Sequence, residues 1–218
     1  MGIKLYVVRH GQTQHNVAGI IQGHTDSPLT ALGKSQARRT AKRLEEIRFD
    51  AIYTSDLGRA VATARIIAKK QNCEIIKTEN LRESYMGEVQ GLTRDLFEAK
   101  YPGAYERWIS DSVHNRPPGA ESIDDIIARC KAFTDKLVAE YPDDSRILAV
   151  THGGPTRGLI CAVLGMPREY FVKFRCYNAG ITLLHVDPRP SISMFNDVSH
   201  LRRSATTRFD ADSLQFLR

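Results

Sequence analysis

Two segments of the 218-residue chain end alike. Val7-Val8-Arg9-His10-Gly11 and Ala149-Val150-Thr151-His152-Gly153 both run from apolar residues into His-Gly. An imidazole so placed can serve as nucleophile, base or hydrogen-bond donor near neutral pH. Arg9 precedes the first imidazole, and Arg59 stands in the first turn of the helix that follows Ser55-Asp56. Brought together, His10, His152, Arg9 and Arg59 form a cationic hole without matching carboxylates. A phosphate dianion cures that, because guanidinium offers it a planar two-pronged donor and helix N-termini add N–H groups. Taken singly, His10 reads as a satisfied structural residue and Arg59 as a solvated surface charge, so the joint pattern carries the argument. Rival chemistries are weaker. His10, His15 and His24 have no Cys, Asp or Glu at ligand spacing and there is no H-E-x-x-H, so no metal is expected. No G-x-S-x-G or G-x-G-x-x-G occurs. Gly33-Lys34-Ser35 looks like the end of a phosphate-binding loop, but Pro28 takes the first glycine position and the segment lies inside a predicted helix.

The elements that must position these groups alternate. Ile3 to Val8 reads as a buried strand closed by a turn. Gly11 to Thr30 is polar and irregular. Thr30 caps a helix to about Ile47, with Leu32, Ala37, Ala41 and Leu44 at helical spacing. Residues 50–55 form a second strand. Ser55 or Asp56 caps a helix from Leu57 to about Lys70, and Glu74 to Lys77 is a third strand. The rhythm then breaks over residues 81–118, rich in glycine, proline and aromatics, which predicts an insertion with short helices at about 85–118. Ser122 and Asp125 start a helix to about Glu140, and Arg146 to Thr151 is a fourth strand. Pro155 sits in the first turn of the next helix, where its missing N–H costs nothing. Gly180 to Val186 and Ser191 to Phe195 are late strands, and a basic tail follows from Arg202. Alternation of this kind predicts one α/β domain over residues 1–201. It would be a three-layer α/β/α sandwich around a mostly parallel sheet, with a short helical cap. Ligands of such sheets bind beyond the carboxyl ends of the strands, where the two His-Gly turns lie.

Composition limits the partners. Hydrophobic residues are 42% and charged residues 26%, ordinary for a globular protein. No apolar run approaches ~18 residues, so no membrane partner is expected. Lys and Arg number 31 against 25 acidic residues, a net charge of +6 that suits anionic partners. The positive charge is scattered, which argues against nucleic acid. Cys73, Cys130, Cys161 and Cys176 form no C-x-x-C pair and read as reduced thiols in a cytoplasmic protein. The first residues hold neither a signal-peptide core nor a myristoylation signal, since Tyr6 stands where Ser or Thr is needed.

In five ordered blocks the chain resembles the histidine phosphatase superfamily, on its phosphoglycerate-mutase-like branch. The blocks are Arg9-His10-Gly11 with Thr13 and Asn16; Gly23, Asp26, Pro28-Leu29-Thr30, Gly33 and Gln36-Ala37; Ser55, Leu57, Arg59-Ala60 and Thr63-Ala64; Leu81, Glu83, Gly87 and Gly91; and Thr151-His152-Gly153-Gly154. They run from about residue 3 to residue 201. The resemblance implies that His10 attacks phosphorus and carries the phosphoryl group. It implies that Arg9, Arg59 and His152 bind the equatorial oxygens, with Asn16, Gln22, Gly23 and Gly153 completing the phosphate site. Glu83 would protonate the leaving alcohol and then activate water. No cofactor is implied. The chain departs from the family with Val89-Gln90 where an aromatic-acidic pair is common, and with Gly119-Ala120-Glu121-Ser122 where Gly-Gly-Glu-Ser is usual. The short aromatic insertion and the late Asn196-Asp197 and His200-Leu201 favour a phosphatase of small phosphorylated metabolites over a mutase. A non-catalytic phosphate-binding relative is the remaining class, and a homodimer stays open.

Overall fold

The computed structural model describes residues 2–201; the basic tail expected from Arg202 lies outside the described residues. In chain order the elements are β1 (Ile3–Arg9), α1 (Gln14–Ala18), α2 (Ala31–Arg43), β2 (Ala51–Ser55), α3 (Gly58–Ala68), β3 (Ile75–Thr78), α4 (Arg94–Lys100), α5 (Ala104–Ser110), α6 (Ile123–Glu140), β4 (Arg146–Thr151), α7 (Gly153–Leu164), β5 (Ile181–Val186) and β6 (Ser191–Asp197). They build one six-stranded sheet in the order β3-β2-β4-β1-β5-β6. Strand side chains alternate between faces, so each face receives its own core. Ile3, Leu5 and Val7 of β1 enter a cluster with Ile126, Phe133 and Leu137 of α6 and Leu159 and Ile160 of α7. Val8, Ile52, Leu148 and Val150 face Ala41 of α2, Leu44, and Ala60, Ala64 and Ile67 of α3. The result is the three-layer α/β arrangement read from the sequence.

β1, β4, β2 and β3 are parallel, and their register decides the site. Arg9 of β1 pairs with Thr151 of β4, so His10 and His152 leave the sheet side by side. β5 runs antiparallel to β1, and β6 antiparallel to β5. The reversal has a long-range cause. After α7 the chain returns to the carboxyl end of β1, where the Ala179 N–H donates to the Arg9 carbonyl, and β5 can only run back from there.

Some local expectations shift. α2 ends at Arg43, and the next residues form a turn in which the Ile47 N–H donates to the Leu44 carbonyl. Thr30 caps α2 as expected, accepting from the Gly33 N–H. For α3 the N-cap is Leu57, which offers no side-chain cap, and neither Ser55 nor Asp56 fills that place. The Asp26 carboxylate accepts from the Arg59 N–H instead, a tertiary cap supplied from 33 residues away. The irregular 11–30 segment contains α1, closed by a capping box between Thr13 and Asn16. Five residues are too few for a hydrophobic period to reveal it. The insertion carries α4 and α5 and gathers its aromatics into a third cluster of Ile21, Met86, Val89, Phe97, Tyr105 and Trp108. Among the described residues no helix is long and apolar enough to cross a membrane.

Candidate active site

His10 is 1% exposed, at the turn after β1. Its Nδ1 lies 2.7 Å from the Gly11 carbonyl oxygen, which can only accept, so Nδ1 carries the proton and Nε2 keeps its lone pair. Burial, then Arg59 and Arg9, holds the His10 pKa well below its ordinary value against the Gly11 bond. The imidazole is therefore neutral at neutral pH. His152 is wholly buried, its ring edge-on to that of His10 at 5.1 Å between centroids. Burial, then Arg59, His10 and Arg9, lowers its pKa as well.

The arginines enter from two sides. Arg9 donates through Nη1 to the Cys176 carbonyl at 2.6 Å. Arg59, 1% exposed, donates to the carbonyls of Thr25 and Gly23 and pairs with Asp26 at 3.0 Å. These bonds fix both guanidiniums and leave Arg9 Nε and Arg59 Nε buried without a hydrogen-bond partner, as are both ring nitrogens of His152. Buried polar nitrogens are rarely left so, and this concentration of them marks a place built for an acceptor-rich ligand.

Glu83 faces the same space from the segment after β3. Its carboxylate accepts from the N–H groups of Ser84, Gly153 and Gly154 at 2.8, 3.2 and 2.9 Å, the last two at the N-terminus of α7. Its carbonyl accepts from His24 Nε2 and Arg129 Nη2. A Cβ on Gly154 would stand 2.4 Å from Glu83 Oε1 and 2.2 Å from Ser84 Oγ, so the docking needs glycine there. Arg9 Nε and Glu83 Oε2 each lie 3.8 Å from where a Gly153 Cβ would be, which sets arginine and carboxylate across one small gap. Asn16 uses its Oδ1 to accept from the Thr13 N–H and Asn178 Nδ2, leaving its amide NH2 to donate. Gln22 is likewise held by its oxygen, which accepts from Thr13 Oγ1. Arg9, His10, Asn16, Gln22, Gly23, Arg59, Glu83 and Gly153 line one cavity of about 190 Å³; His152, edge-on to the His10 ring, does not itself line it. Among the described residues no group of three or more His, Cys, Asp or Glu is arranged to hold a metal ion.

The sequence pattern of the histidine phosphatase superfamily (branch 1) matches residues 5–197. The chain belongs to this superfamily. A protein of Enterobacter sp. strain 638 named probable phosphoglycerate mutase GpmB is 35% identical over 205 residues, covering 91% of this chain and 95% of its own length. Phosphoserine phosphatase 1 of Hydrogenobacter thermophilus is 32% identical over 200 residues, covering 91% and 94%. A mycobacterial glucosyl-3-phosphoglycerate phosphatase, solved in complex with VO3, superposes with a TM-score of 0.81 at 33% identity, over 88% of this chain and 98% of that one.

Several contributors to this histidine phosphatase site escaped the sequence reading. Asp26 enters the sequence pattern only as part of a family block with no role attached, yet it orients Arg59 through both backbone and side chain. Asn178 donates to the His10 carbonyl at 3.0 Å from a loop 168 residues away, and no local pattern signals that. Glu121 pairs with Arg129 at 2.7 Å and accepts from the Tyr85 N–H, so it braces the segment that carries Glu83. Arg116, Arg157 and Arg175 also line the cavity.

Proposed function

We propose that the protein is a phosphomonoester phosphatase that works through a phosphohistidine on His10, with small phosphorylated metabolites as substrates. The observation that carries this is the His10 ring itself. It is locked by Gly11 as the Nδ1–H tautomer, neutral, and set beside buried donors that lack partners. In the first step the Nε2 lone pair attacks phosphorus and the ester P–O bond breaks. Arg9, Arg59 and the Asn16 amide, which line the cavity, take the charge on the equatorial oxygens, and His152, edge-on to the His10 ring, adds its buried ring nitrogens beside the nucleophile. Glu83, as its carboxylic acid, gives its proton to the leaving oxygen. In the second step the Glu83 carboxylate takes a proton from water, the hydroxide attacks phosphorus, and the P–N bond breaks to return the electron pair to His10. Gln22, Gly23 and Gly153 complete the phosphate-binding wall. The cations of the site supply what a divalent metal supplies in other phosphoryl-transfer enzymes, so metal is not required. The cavity of about 190 Å³ suits a small molecule rather than a nucleic acid or membrane lipid, and the free cysteines fit a cytoplasmic protein.

A mutase reading is favoured by the name that the Enterobacter relative shares with proteins of Proteus mirabilis and Photorhabdus laumondii. The two readings differ only in what accepts the phosphoryl group, water or a second hydroxyl. Brief incubation with labelled substrate should yield an acid-labile, base-stable phosphoenzyme that forms undiminished after exhaustive chelation and is absent in His10→Ala. With 3-phosphoglycerate a phosphatase releases inorganic phosphate, whereas a mutase returns 2-phosphoglycerate. More than a few per cent of turnover in His10→Ala would reject the covalent route, whose loss should cost many orders of magnitude.

A further inference from the structure

The late block Asn196-Asp197 has no task in the mechanism, yet its asparagine lies at the back of the site. Residues 176–179 grip the carboxyl end of β1. The Cys176 carbonyl accepts from Arg9 Nη1 at 2.6 Å. Asn178 Nδ2 donates to the His10 carbonyl at 3.0 Å and reaches Asn16 Oδ1 at 3.4 Å. The Ala179 N–H is shared between the carbonyls of Arg9 and His10, at 3.0 and 3.2 Å. One short loop therefore sets Arg9, His10 and Asn16 relative to one another. Its shape is not a relaxed one. Ala179 is wholly buried with φ +59°, a left-handed conformation that a residue with a Cβ keeps only where its surroundings enforce it.

β1 enforces it from one side and β6 from the other. β6 is an edge strand, and its pairing with β5 slips. Between the Ile181–Asp197 and Leu183–Met194 pairs, Thr182 alone stands opposite Phe195 and Asn196. An extra residue of this kind is a β-bulge, which bends the strand and re-aims a side chain. Asn196 takes φ +49°, which asparagine tolerates better than most residues, and its N–H donates to Thr182 Oγ1 at 3.1 Å. Its side chain meets the loop: the Tyr177 N–H donates to Asn196 Oδ1 at 2.9 Å. The approach is close, since a Cβ on Gly180 would stand 2.3 Å from that oxygen.

We propose that Asn196 is a positioning residue for phosphoryl transfer. It does not line the cavity. It pins Tyr177, and through the neighbouring Cys176, Asn178 and Ala179 it fixes the Arg9 guanidinium and the backbone that carries the His10 ring. The proposal rests on the phosphohistidine reading of the site and adds a residue remote from the reacting atoms. A misplacement of about 1 Å at a nucleophile can cost about 100-fold in rate, so a hold of this kind reaches the chemistry.

Two substitutions separate the side chain from the backbone. Asn196→Gly keeps the left-handed conformation and removes the acceptor, whereas Asn196→Asp keeps both shape and acceptor. In Asn196→Gly, kcat should fall by about 10- to 100-fold on alkyl and nitrophenyl phosphates alike, because attack by His10 is common to both. KM should move much less. Asn196→Asp should recover most of the lost rate. Adding Asn178→Ala to Asn196→Gly should cost little beyond the larger single loss, as for two links of one chain. Ile192→Ala, on the same strand but packed on the core, is the control: it should lower stability in urea and leave kcat unchanged. A wild-type kcat in Asn196→Gly, a loss that Asn196→Asp does not restore, or the same loss in Ile192→Ala would overturn the proposal. Should Asn196→Gly not fold, Thr182→Val removes only the acceptor of the Asn196 N–H. It should give a smaller loss, equal on the two esters, and an unchanged kcat there would overturn the proposal as well. If the wild type turns over no phosphomonoester, yet calorimetry shows vanadate binding weakened by Asn196→Gly and restored by Asn196→Asp, the phosphatase reading falls and the hold on the site stands.

Discussion

Glu83 is gripped at its carbonyl by His24 and Arg129 and at its carboxylate by three backbone N–H groups. Little rotational freedom remains, which suits the proton-donor role proposed for it. Glu83→Gln keeps the shape and the acceptor oxygen but cannot deliver or take a proton. Hydrolysis of alkyl phosphates should fall by ~100-fold, the usual scale for one acid–base group. In single turnovers the phosphorylation step with a nitrophenyl ester should fall much less, because that phenolate leaves without a proton. Equal losses on the two esters would pass the acid role to another residue. His10 is tuned differently. Its proton is fixed on Nδ1 by the adjacent Gly11 carbonyl, so a neighbouring backbone group rather than a distant acid selects the nucleophilic tautomer.

The N-terminus of α7 joins the two halves of the site, since the turn that presents His152 also binds the Glu83 carboxylate. Gly154→Ala tests this at the level of the element. The new methyl would collide with Glu83 Oε1 and Ser84 Oγ, so Glu83 should be displaced and alkyl phosphate turnover should drop at least ~10-fold, with about 1–3 kcal/mol of stability lost to overpacking. Gly158→Ala is the comparison: its methyl would press on Cys130 Sγ and Ile126 Cγ2 between α6 and α7, away from Glu83. It should cost stability in chemical denaturation while sparing the alkyl-to-nitrophenyl ratio. A Gly154→Ala enzyme with normal turnover would show that Glu83 works without its dock. What the sequence disclosed follows the same division. Strands and the two His-Gly turns were legible because buried strands are apolar and their ends carry the polar groups. Thr30 and Ser122 were legible as caps because capping is local. The cap of α3, the reversal of β5 and the hold of Asn178 on His10 were not, because each is made by residues remote in the chain.

For the whole molecule, the cationic site ties folding to pH. Burial and the arginines keep His10 and His152 neutral in the native state, with pKa values lowered well below the ordinary 6.5. In the unfolded chain both titrate near that ordinary value. Below about pH 6.5 the unfolded state therefore binds more protons than the native state, and stability must fall as pH falls. Each histidine contributes up to about 1.4 kcal/mol per pH unit, so the pair should give a slope approaching about 2.7 kcal/mol per unit between roughly pH 6 and the depressed native values. Carboxylates held low by basic partners, such as Asp56 beside Arg82, add their loss only near and below the ordinary carboxylate range, which separates the two effects. Urea unfolding at half-unit steps from pH 7.5 to 5 would measure the slope. His152→Gln should remove about half of it, since glutamine takes up no proton. Vanadate or inorganic phosphate should flatten it, because an anion beside the imidazoles favours their charged form in the native state and narrows the difference in bound protons. Stability unchanged between pH 7 and 5.5, or a slope indifferent to both the substitution and the anion, would mean that these histidines are already charged in the folded protein, and that the neutral His10 required for attack on phosphorus is not its resting state.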